Sequence, residues 1–302
     1  MLWTEKYRPK KIKEIIGQES FKSDAEHWIE NGEMPNLLIF GPAGVGKTSA
    51  GISLAKEYLG DGYNLNFLEL NASDDRRLEI VRTKIKEFAS TGKMGDVLIK
   101  ICLLDEMDGM TIDAQNALKR IMERYHSNVR FIITCNDRTK LVEPIQSRCA
   151  NYFFDNLEND SICSLLNKIL IREHGEAPLP EVMSAFVESF NGDLRRAISE
   201  LQAVYATNES LENYSPKTLD KYNSILQMLI DSKQKEAHEK ILKLLYLGVS
   251  IRDICIGLHD AIINGNYSNE IKFKFLRIIG ETEYRSGTMT PRVIASWMIA
   301  QL

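Results

Sequence analysis

Residues 41–48 read GPAGVGKT and match the phosphate-binding pattern G-x-x-x-x-G-K-[ST] at every fixed position. The apolar run LLIF precedes them at 37–40, and SAGISLAKEYLG, a helical stretch closed by Gly60, follows. A strand, a glycine-rich loop and a helix in this order form the setting that the pattern requires. These residues predict an α/β nucleotide-binding fold, against the alternative of a flexible glycine-rich turn that matches by chance.

The chemistry of such a loop assigns roles to its side chains. Its glycines let backbone N–H groups close on phosphates, and the helix N-terminus adds positive potential. We expect Lys47 to reach the β- and γ-phosphate oxygens of ATP and Thr48 to ligate Mg²⁺. The predicted nucleotide contacts are Gly41, Pro42, Ala43, Gly44, Val45, Gly46, Lys47, Thr48 and Ser49.

A second motif, ICLLDEMD at 101–108, places two acids after an apolar strand. The carboxyl ends of parallel strands are where ligands bind in such sheets. We expect Asp105 to hold Mg²⁺ and Glu106 to orient and polarise the attacking water of a metal-assisted phosphoryl transfer. The alternative is an acidic first turn of a helix, which is common. The loop at 41–48 favours the catalytic interpretation.

Two further stretches offer side chains to the same phosphates. Asn136 ends the run VRFIITCN and could bind the γ-phosphate or the water, although an Asn at a strand end is otherwise ordinary. GDLRRAI, residues 192–198, opens a predicted helix with Asp193 as its N-cap. Either Arg195 or Arg196 could reach back across a cleft to the γ-phosphate, and the other would then be a solvated charge.

Composition bounds the class of protein. The chain has 302 residues, 44% apolar and 26% charged, with a formal net charge of −4. This length suits two or three domains, and a nucleic-acid surface would have to be local because no overall basic excess exists. The five cysteines include no C-x-x-C pair, no apolar run nears the length of a membrane span, and the start MLWTEKYRPKK is charged. These features predict a soluble intracellular protein with reduced thiols and no membrane partner.

Sequence texture divides the chain into regions. In residues 1–155, short apolar runs alternate with amphipathic helical patterns, which predicts a parallel sheet with helices on both faces. Residues 156–207 read as a helical domain, 208–216 as a polar linker and 217–302 as a second helical domain. The predicted strands lie in NLLIF (36–40), NFLEL (66–70), VLIKICLLD (97–105), VRFIITCN (129–136) and NYFF (151–154).

Taken together, these motifs resemble the small subunits of replication factor C, the archaeal and eukaryotic clamp loader of the AAA+ class of ATPases. The resemblance runs nearly end to end, and its boxes follow one another in order. They are WTEKYRPK (3–10), ELNASDD (69–75), DEMD (105–108), AQNALKRIME (114–123), PIQSRC (144–149) and GDLRRAI (192–198).

This resemblance implies an architecture and a set of partners. It implies an α/β AAA+ ATPase domain with a parallel sheet flanked by helices, a small helical lid and an all-helical collar. The implied assembly is a hetero-pentamer with a large clamp-loader subunit and other small subunits. It would use ATP and Mg²⁺ to open a ring-shaped sliding clamp and load it onto primer–template DNA, at the chromosome in an archaeon or in the nucleus of a eukaryote.

The resemblance also carries roles onto single residues. Asn136 matches the first sensor of the γ-phosphate and Arg195 the second. Asn71 matches a polar switch that holds Glu106 away from water until DNA binds. The segment near the adenine is matched by Tyr7, Arg8, Pro9, Ile16 and Gly17.

Arg148, in the stretch PIQSRC, is expected to serve another chain. The site of its own chain already has Lys47, Mg²⁺ and Arg195 to balance the phosphate charge. A guanidinium at a domain edge is suited to reach the γ-phosphate of a neighbouring subunit and to stabilise its transition state. The alternative is that Arg148 merely pairs with a local carboxylate such as Glu143.

Two predicted helices, in 78–89 and 111–125, carry cations on a face away from an apolar stripe that we assign to core packing. In the family both helices would track DNA phosphates, independently of sequence and sensitive to salt. The alternative is a solvated face with Glu–Lys pairs. The candidate DNA contacts are Arg82, Lys86, Lys119 and Arg124, with Arg120 beside them.

Two other functions compete with clamp loading. A branch-migration motor of the AAA+ class would need a DNA-reading C-terminal domain with β-hairpin signals, whereas 217–302 reads as helices only. An assembly subunit with little hydrolysis of its own would lack a key side chain. Lys47, Glu106 and Arg148 are all present, so the sequence predicts an ATP hydrolase.

Overall fold

A computed structural model describes residues 1–72, 78–95, 97–207, 211, 217–265 and 267–302, with the backbone only at 78–82, 217–220 and 264. The chain forms two compact units, Met1–Glu212 and Asn213–Leu302. The predicted boundary at 155 lies inside the first unit, and most of the predicted linker, 208–216, lies outside the described residues. The finer division into three domains therefore remains a prediction.

The first unit is built on a parallel sheet of five strands, which confirms the predicted α/β class. Its strand order is β2-β3-β4-β1-β5. Buried apolar side chains fill β3 and β4 almost completely, as expected for strands covered on both faces. The strands are β1 Leu37–Phe40, β2 Phe67–Asn71, β3 Lys100–Asp105, β4 Val129–Cys135 and β5 Ala150–Phe153.

Helices of the first unit begin and end where the sequence provides caps. The side chains of Thr111 and Asp193 accept hydrogen bonds from backbone N–H groups at the starts of α6 (Ile112–Arg124) and α10 (Leu194–Ala206). Gly60 follows the end of α3 (Lys47–Leu59). The other helices are α1 Trp3–Lys6, α2 Glu19–Asn31, α4 Tyr63–Asn66, α5 Leu78–Ser90, α7 Glu143–Gln146, α8 Asn159–His174 and α9 Pro180–Glu188.

Two apolar clusters cover the two faces of the sheet. One joins α2 and α3 to one face, and α3 lies so close that a Cβ on Gly51 would come within 3.0 Å of Leu103 Cδ1. The other joins α5 and α6 to the opposite face through residues such as Ile85 and Leu118. The carboxyl edge of the sheet is left between these layers, so the residues that follow the strands meet there.

The second unit is helical throughout its described residues, 217–265 and 267–302, and no strand occurs among them. Its own apolar core is separate from the two clusters of the first unit. This confirms the predicted helical C-terminal region. Its helices are α11 Lys217–Ile230, α12 Gln234–Tyr246, α13 Ile251–Asn264, α14 Asn269–Arg285 and α15 Pro291–Gln301.

Two sequence-level expectations concern the thiols and the membrane. All five cysteines are free thiols, and burial raises the pKa of Cys135 and Cys149 to about 12. Within the described ranges, no helix is both long enough and apolar enough to cross a lipid bilayer.

Candidate nucleotide-binding site

The predicted phosphate loop connects β1 to α3, and its three glycines are favoured by backbone shape, with close packing as a second reason at Gly41 and Gly44. Gly41, Gly44 and Gly46 have φ values of 147°, 78° and 94°, which disfavour other residues. A Cβ on Gly41 would lie 2.0 Å from the carbonyl oxygen of Phe154, and one on Gly44 would lie 1.8 Å from Asp193 Oδ1. The loop is thus packed against the end of β5 and against the residue that caps α10.

Lys47 is held in place before any phosphate arrives. Its ammonium donates to the carbonyl oxygens of Gly41 and Pro42, at 2.8 and 2.6 Å, and to Asn136 Oδ1 at 2.8 Å. Only 8% of the residue is exposed, and this burial lowers the pKa of Lys47. The three donors of the ammonium are therefore all occupied, and phosphate oxygens can replace these acceptors. The structure also brings Asn136 to Lys47, as both predicted roles require.

Thr48 and Asp105 lie side by side and could hold Mg²⁺. Thr48 Oγ1 donates to Asp105 Oδ1 at 2.7 Å, at the start of α3 and the end of β3. Their oxygens are of the hard type that Mg²⁺ prefers, and this ion typically takes one or two protein ligands together with phosphate oxygens and water. The two residues therefore fit the ion that the sequence predicts at this position.

Thr134 binds the carboxylate of Asp105 and the backbone of Glu106, and sequence reasoning missed it. Its hydroxyl donates to Asp105 Oδ1 at 2.5 Å and accepts the backbone N–H of Glu106 at 3.2 Å, while only 1% of the residue is exposed. Glu106 has a left-handed φ of 54°, and its exposed side chain lines the cavity described below. The one available signal was a hydroxyl inside the apolar run of β4.

Asn71 ends β2 directly opposite Asp105 in the strand register. It is half-buried and lines the same cavity as Glu106. The register therefore sets Asn71, the switch residue that the resemblance implies, beside the acids at one edge of the sheet; its role as a switch stays a prediction.

A cavity of about 1090 Å³ extends from this edge to helices α8 and α10. Arg195 is exposed and lines it, and its positive charge is among the causes that lower the pKa of Lys47. Arg196 instead lies over the ring of Phe190, 5.9 Å from its centre. Of the two arginines that the sequence left open, the structure therefore places Arg195 at the cavity.

The N-terminal segment closes another side of the cavity, with Tyr7, Arg8, Pro9 and Ile16 among the lining residues. The hydroxyl of Tyr7 and the ammonium of Lys6 both donate to the carboxylate of Glu173 on α8. Ser53 on α3 donates to the Pro9 carbonyl at 2.8 Å. Hydrogen bonds thus join this segment to α8 on one side and to α3 on the other.

Three of the predicted nucleotide contacts are not among the residues that line the cavity: Gly17, Gly41 and Pro42.

One face of α8 also lines the cavity and was not predicted. Its residues recur at intervals of three and four, which is the spacing of a single helical face. This spacing is visible in the sequence, but it does not reveal which face looks inward. The residues are Ser161, Ser164, Leu165, Lys168, Ile169 and Arg172.

Arg148 does not line this cavity. Its Nη2 lies 2.5 Å from Glu123 Oε1 on α6, and its Nη1 donates to the Pro144 carbonyl at 2.6 Å. The guanidinium therefore has a local carboxylate partner, but the partner is Glu123 rather than the Glu143 that the sequence suggested. The expected role of Arg148 in a neighbouring site stays a prediction.

The candidate DNA contacts lie on α5 and α6. Lys86 and Arg124 are exposed and Lys119 is half-buried, and the Arg124 guanidinium lies 5.6 Å from the centre of the Tyr125 ring. The side chain of Arg82 lies outside the described residues. The apolar faces of both helices pack into one cluster, so the predicted stripes are core packing wherever they are described.

Two family models match the chain. The model of the ATPase family associated with various cellular activities (AAA) matches residues 37–157. The model of the replication factor C C-terminal domain matches residues 218–287. The first match contains the loop, both acids and Arg148, and the second lies within the helical second unit.

Three relatives that match most of the chain are named replication factor C small subunit. That of Methanoregula boonei is 37% identical, over 94% of this chain and 90% of its own length. Those of Methanococcus maripaludis and Picrophilus torridus are also 37% identical, over 94% of this chain and 92% and 91% of theirs.

Solved structures share the fold at low identity. A DNA polymerase III gamma subunit-related protein from Thermotoga maritima has a TM-score of 0.60 and 15% identity, over 93% of this chain and 97% of its own. The RuvB Holliday junction branch migration motor of the same organism has a TM-score of 0.55 and 16% identity, over 81% and 86%. Both likenesses concern architecture alone.

Proposed function

Because the chain belongs to the family of replication factor C small subunits, we propose that it is an ATP-hydrolysing subunit of a clamp loader. It binds ATP, helps to open a ring-shaped sliding clamp and places the clamp on primer–template DNA during replication. The observation that carries this proposal is the meeting of four predicted site residues at the carboxyl edge of the sheet. Lys47 donates to Asn136 at 2.8 Å, and Thr48 donates to Asp105 at 2.7 Å.

Binding of ATP begins with an exchange of partners at Lys47. The ammonium gives up carbonyl or amide oxygens and takes phosphate oxygens, which carry more charge and therefore accept stronger hydrogen bonds. Thr48 and Asp105, joined by a hydrogen bond, would hold Mg²⁺, which would supply positive charge to balance the phosphates. The adenine lies against the segment from Tyr7 to Gly17.

Hydrolysis then depends on Glu106. Its carboxylate orients a water molecule in line with the γ-phosphorus and accepts a proton from it. The water oxygen bonds to the γ-phosphorus while the bond to the β,γ-bridging oxygen breaks, which releases ADP and inorganic phosphate. Asn136 binds the γ-phosphate or the water, and Arg195 adds positive charge from α10. Asn71, set opposite Asp105 in the register, holds Glu106 inactive until DNA binds.

The interactions with other molecules follow from the family. Arg148 reaches the γ-phosphate in a neighbouring subunit of a hetero-pentamer that also contains a large subunit. The cations of α5 and α6, at Arg82, Lys86, Lys119 and Arg124, contact the phosphates of primed DNA without reading its sequence. DNA and clamp together stimulate hydrolysis, and the protein acts inside the cell, at the chromosome.

A stimulation experiment tests this function. ATP turnover is measured for the chain alone, then with its large subunit, and then with clamp and primed DNA, and the highest rate is expected only with all components. Glu106→Gln is the matched control, because it keeps shape but loses the carboxylate, and it should reduce turnover at least about tenfold. A wild-type rate that clamp and DNA leave unchanged would refute the proposal. Movement of a four-way DNA junction would indicate a branch-migration motor instead.

A further inference from the structure

Arg148 is held by two oxygens, one at each terminal nitrogen of its guanidinium. Nη2 contacts Glu123 Oε1 at 2.5 Å, and Nη1 donates to the Pro144 carbonyl at 2.6 Å. A guanidinium has five N–H donors, so the contacts given by the described residues use two of them and leave three for a ligand. The side chains of Arg148 and Glu123 are 34% and 47% exposed, so an approaching ligand can reach them.

Glu123 pairs with Arg148 although two other cations lie nearer to it along the sequence. Lys119 and Arg120 precede it on α6 at the spacings that form ion pairs along a helix. The structure instead pairs its carboxylate with Arg148, 25 residues further along the chain. The contact therefore ties α6 to the stretch between α7 and β5, where Arg148 lies.

Helix α6 connects two places that matter for hydrolysis. A short 3-10 helix, Met107–Gly109, lies between Glu106 and the start of α6 at Ile112. The last turn of α6 contains Glu123, about 17 Å away at 1.5 Å per residue. A rigid helix thus has the proposed hydrolytic acid of this chain near one end and the partner of Arg148 near the other, with the candidate DNA contacts Lys119 and Arg124 between and beside them.

We propose that Glu123 is the positioning residue of Arg148. Its carboxylate and the Pro144 carbonyl fix the plane of the guanidinium, so that the remaining donors point toward the γ-phosphate of the neighbouring subunit. The proposal rests on the proposed function, in which Arg148 acts on ATP bound by a neighbour. Glu123 itself does not contact ATP. A guanidinium fixed in advance reaches the transition state without reorganising, which is how preorganised charges accelerate reactions.

The geometry favours positioning over sequestration. A carboxylate that captured Arg148 would engage it as a fork, with two parallel N–H···O bonds. The recorded contact joins one oxygen to one terminal nitrogen, and the Pro144 carbonyl takes the other nitrogen. Because the pair is exposed, it contributes little to folding, and its loss should affect the direction of the guanidinium rather than the stability of the subunit.

The test uses the complete complex with large subunit, clamp and primed DNA. Single-turnover ATP hydrolysis is measured at saturating DNA for Glu123→Ala, Glu123→Asp, Arg148→Ala and the double variant. Glu143→Ala is the matched control, because Glu143 is a nearby exposed acid that makes no ion pair within the described part of the chain. Affinity for ATP and for DNA and the thermal midpoint are measured for each variant.

Glu123→Ala should lower the hydrolysis rate about tenfold, as expected when a reacting group is slightly misplaced, and Glu123→Asp should retain more activity. Binding of ATP and the thermal midpoint should not change. DNA should bind equally or more tightly, since a negative charge beside Lys119 and Arg124 has been removed. In the Arg148→Ala background, Glu123→Ala should have no further effect on the rate.

Three results in the Glu123 and Glu143 variants would overturn the proposal, and a fourth, in Arg148→Ala alone, would overturn the premise on which it rests. The first is a normal or increased rate in Glu123→Ala, and the second is an equal loss in Glu143→Ala. The third is a tenfold loss that persists when Arg148 is already alanine, because Glu123 would then act by another route. If Arg148→Ala itself hydrolyses normally in the complex, the role of Arg148 in the neighbouring site fails, and the positioning role of Glu123 fails with it.

Discussion

Two regions hold their functional side chains in different ways: the carboxyl edge of the sheet, and the C-terminal end of α6, which we call its outer end. At the sheet edge, Lys47 and Thr134 are at least nine-tenths buried, and each makes several hydrogen bonds within its own chain. At the outer end of α6, Arg148 and Glu123 are partly exposed and joined by one ion pair. The first region is organised by the chain itself, whereas the second leaves donors available to another molecule.

This difference assigns different tasks to the two regions. A buried polar group without a partner is costly, so the contacts at the sheet edge must form when the domain folds. An exposed ion pair contributes little to folding, so the contact at α6 can be altered by a ligand or a neighbour at low cost. We therefore expect mutations in the first region to affect this chain alone and mutations in the second to affect its partners.

The largest effect is expected at the buried region, from Lys47→Ala. The change removes the charge that would hold the phosphates, and binding of a fluorescent ATP analogue should be lost. Lys56→Ala, on the same helix and close to the Tyr63 ring, is the matched control and should bind normally. An unchanged affinity in Lys47→Ala would show that residues 41–48 are not the phosphate loop.

The next largest effect is expected at the exposed region, from Arg148→Ala. A trans-acting arginine can contribute about 10³-fold or more to hydrolysis, so turnover in the complex should fall by this order while affinity for ATP in the same chain stays nearly normal. Subunits carrying Lys47→Ala are then mixed with subunits carrying Arg148→Ala. Partial recovery is expected, because some interfaces combine an intact loop with an intact arginine. Exchange of subunits without recovery at any proportion would restrict Arg148 to its own chain.

A smaller effect is expected on stability, and it compares the loss of a buried hydroxyl with the loss of an exposed one. Thr134→Val removes the hydroxyl that binds Asp105 and the Glu106 amide, and it should lower the free energy of unfolding by about 1–3 kcal/mol. Thr139→Val removes an exposed hydroxyl that also binds an aspartate, Asp137, and should cost less. Urea denaturation measures both variants. Equal losses would show that burial does not distinguish the two hydroxyls.

The smallest effect is expected from Lys86→Glu on the exposed face of α5. It should weaken binding of primed DNA and reduce the slope of log affinity against log salt by about one, while hydrolysis without DNA stays unchanged. Lys233→Glu, the same charge change at an exposed position of the second unit, is the control. A salt slope equal to that of the wild type would indicate that Lys86 is a solvated charge only.

Much of the fold could be predicted because its signals are local. The apolar runs gave strands within a few residues of the observed bounds, and Asp193 and Gly60 marked helix ends through caps that involve only neighbouring residues. The grouping of Lys47 with Asp105 was also predictable, since parallel strands bring their carboxyl ends to one edge. Arg82 and the linker at 208–216 stay predictions, because the Arg82 side chain and most of the linker lie outside the described residues.

The sequence by itself therefore determined the loop, the acids, the class of fold and the family to which the motifs belong. Only the tertiary structure decided that Thr134 binds the Asp105 carboxylate and the Glu106 amide, and that Glu123 rather than Glu143 pairs with Arg148. It also placed Arg195, the arginine that the family resemblance had singled out, at the cavity. The physical reason is the short distance over which these interactions form. A hydrogen bond or ion pair requires atoms within about 3–4 Å, and the packing of α6 and α10 against the rest of the unit, rather than proximity along the chain, decides which side chains come that close.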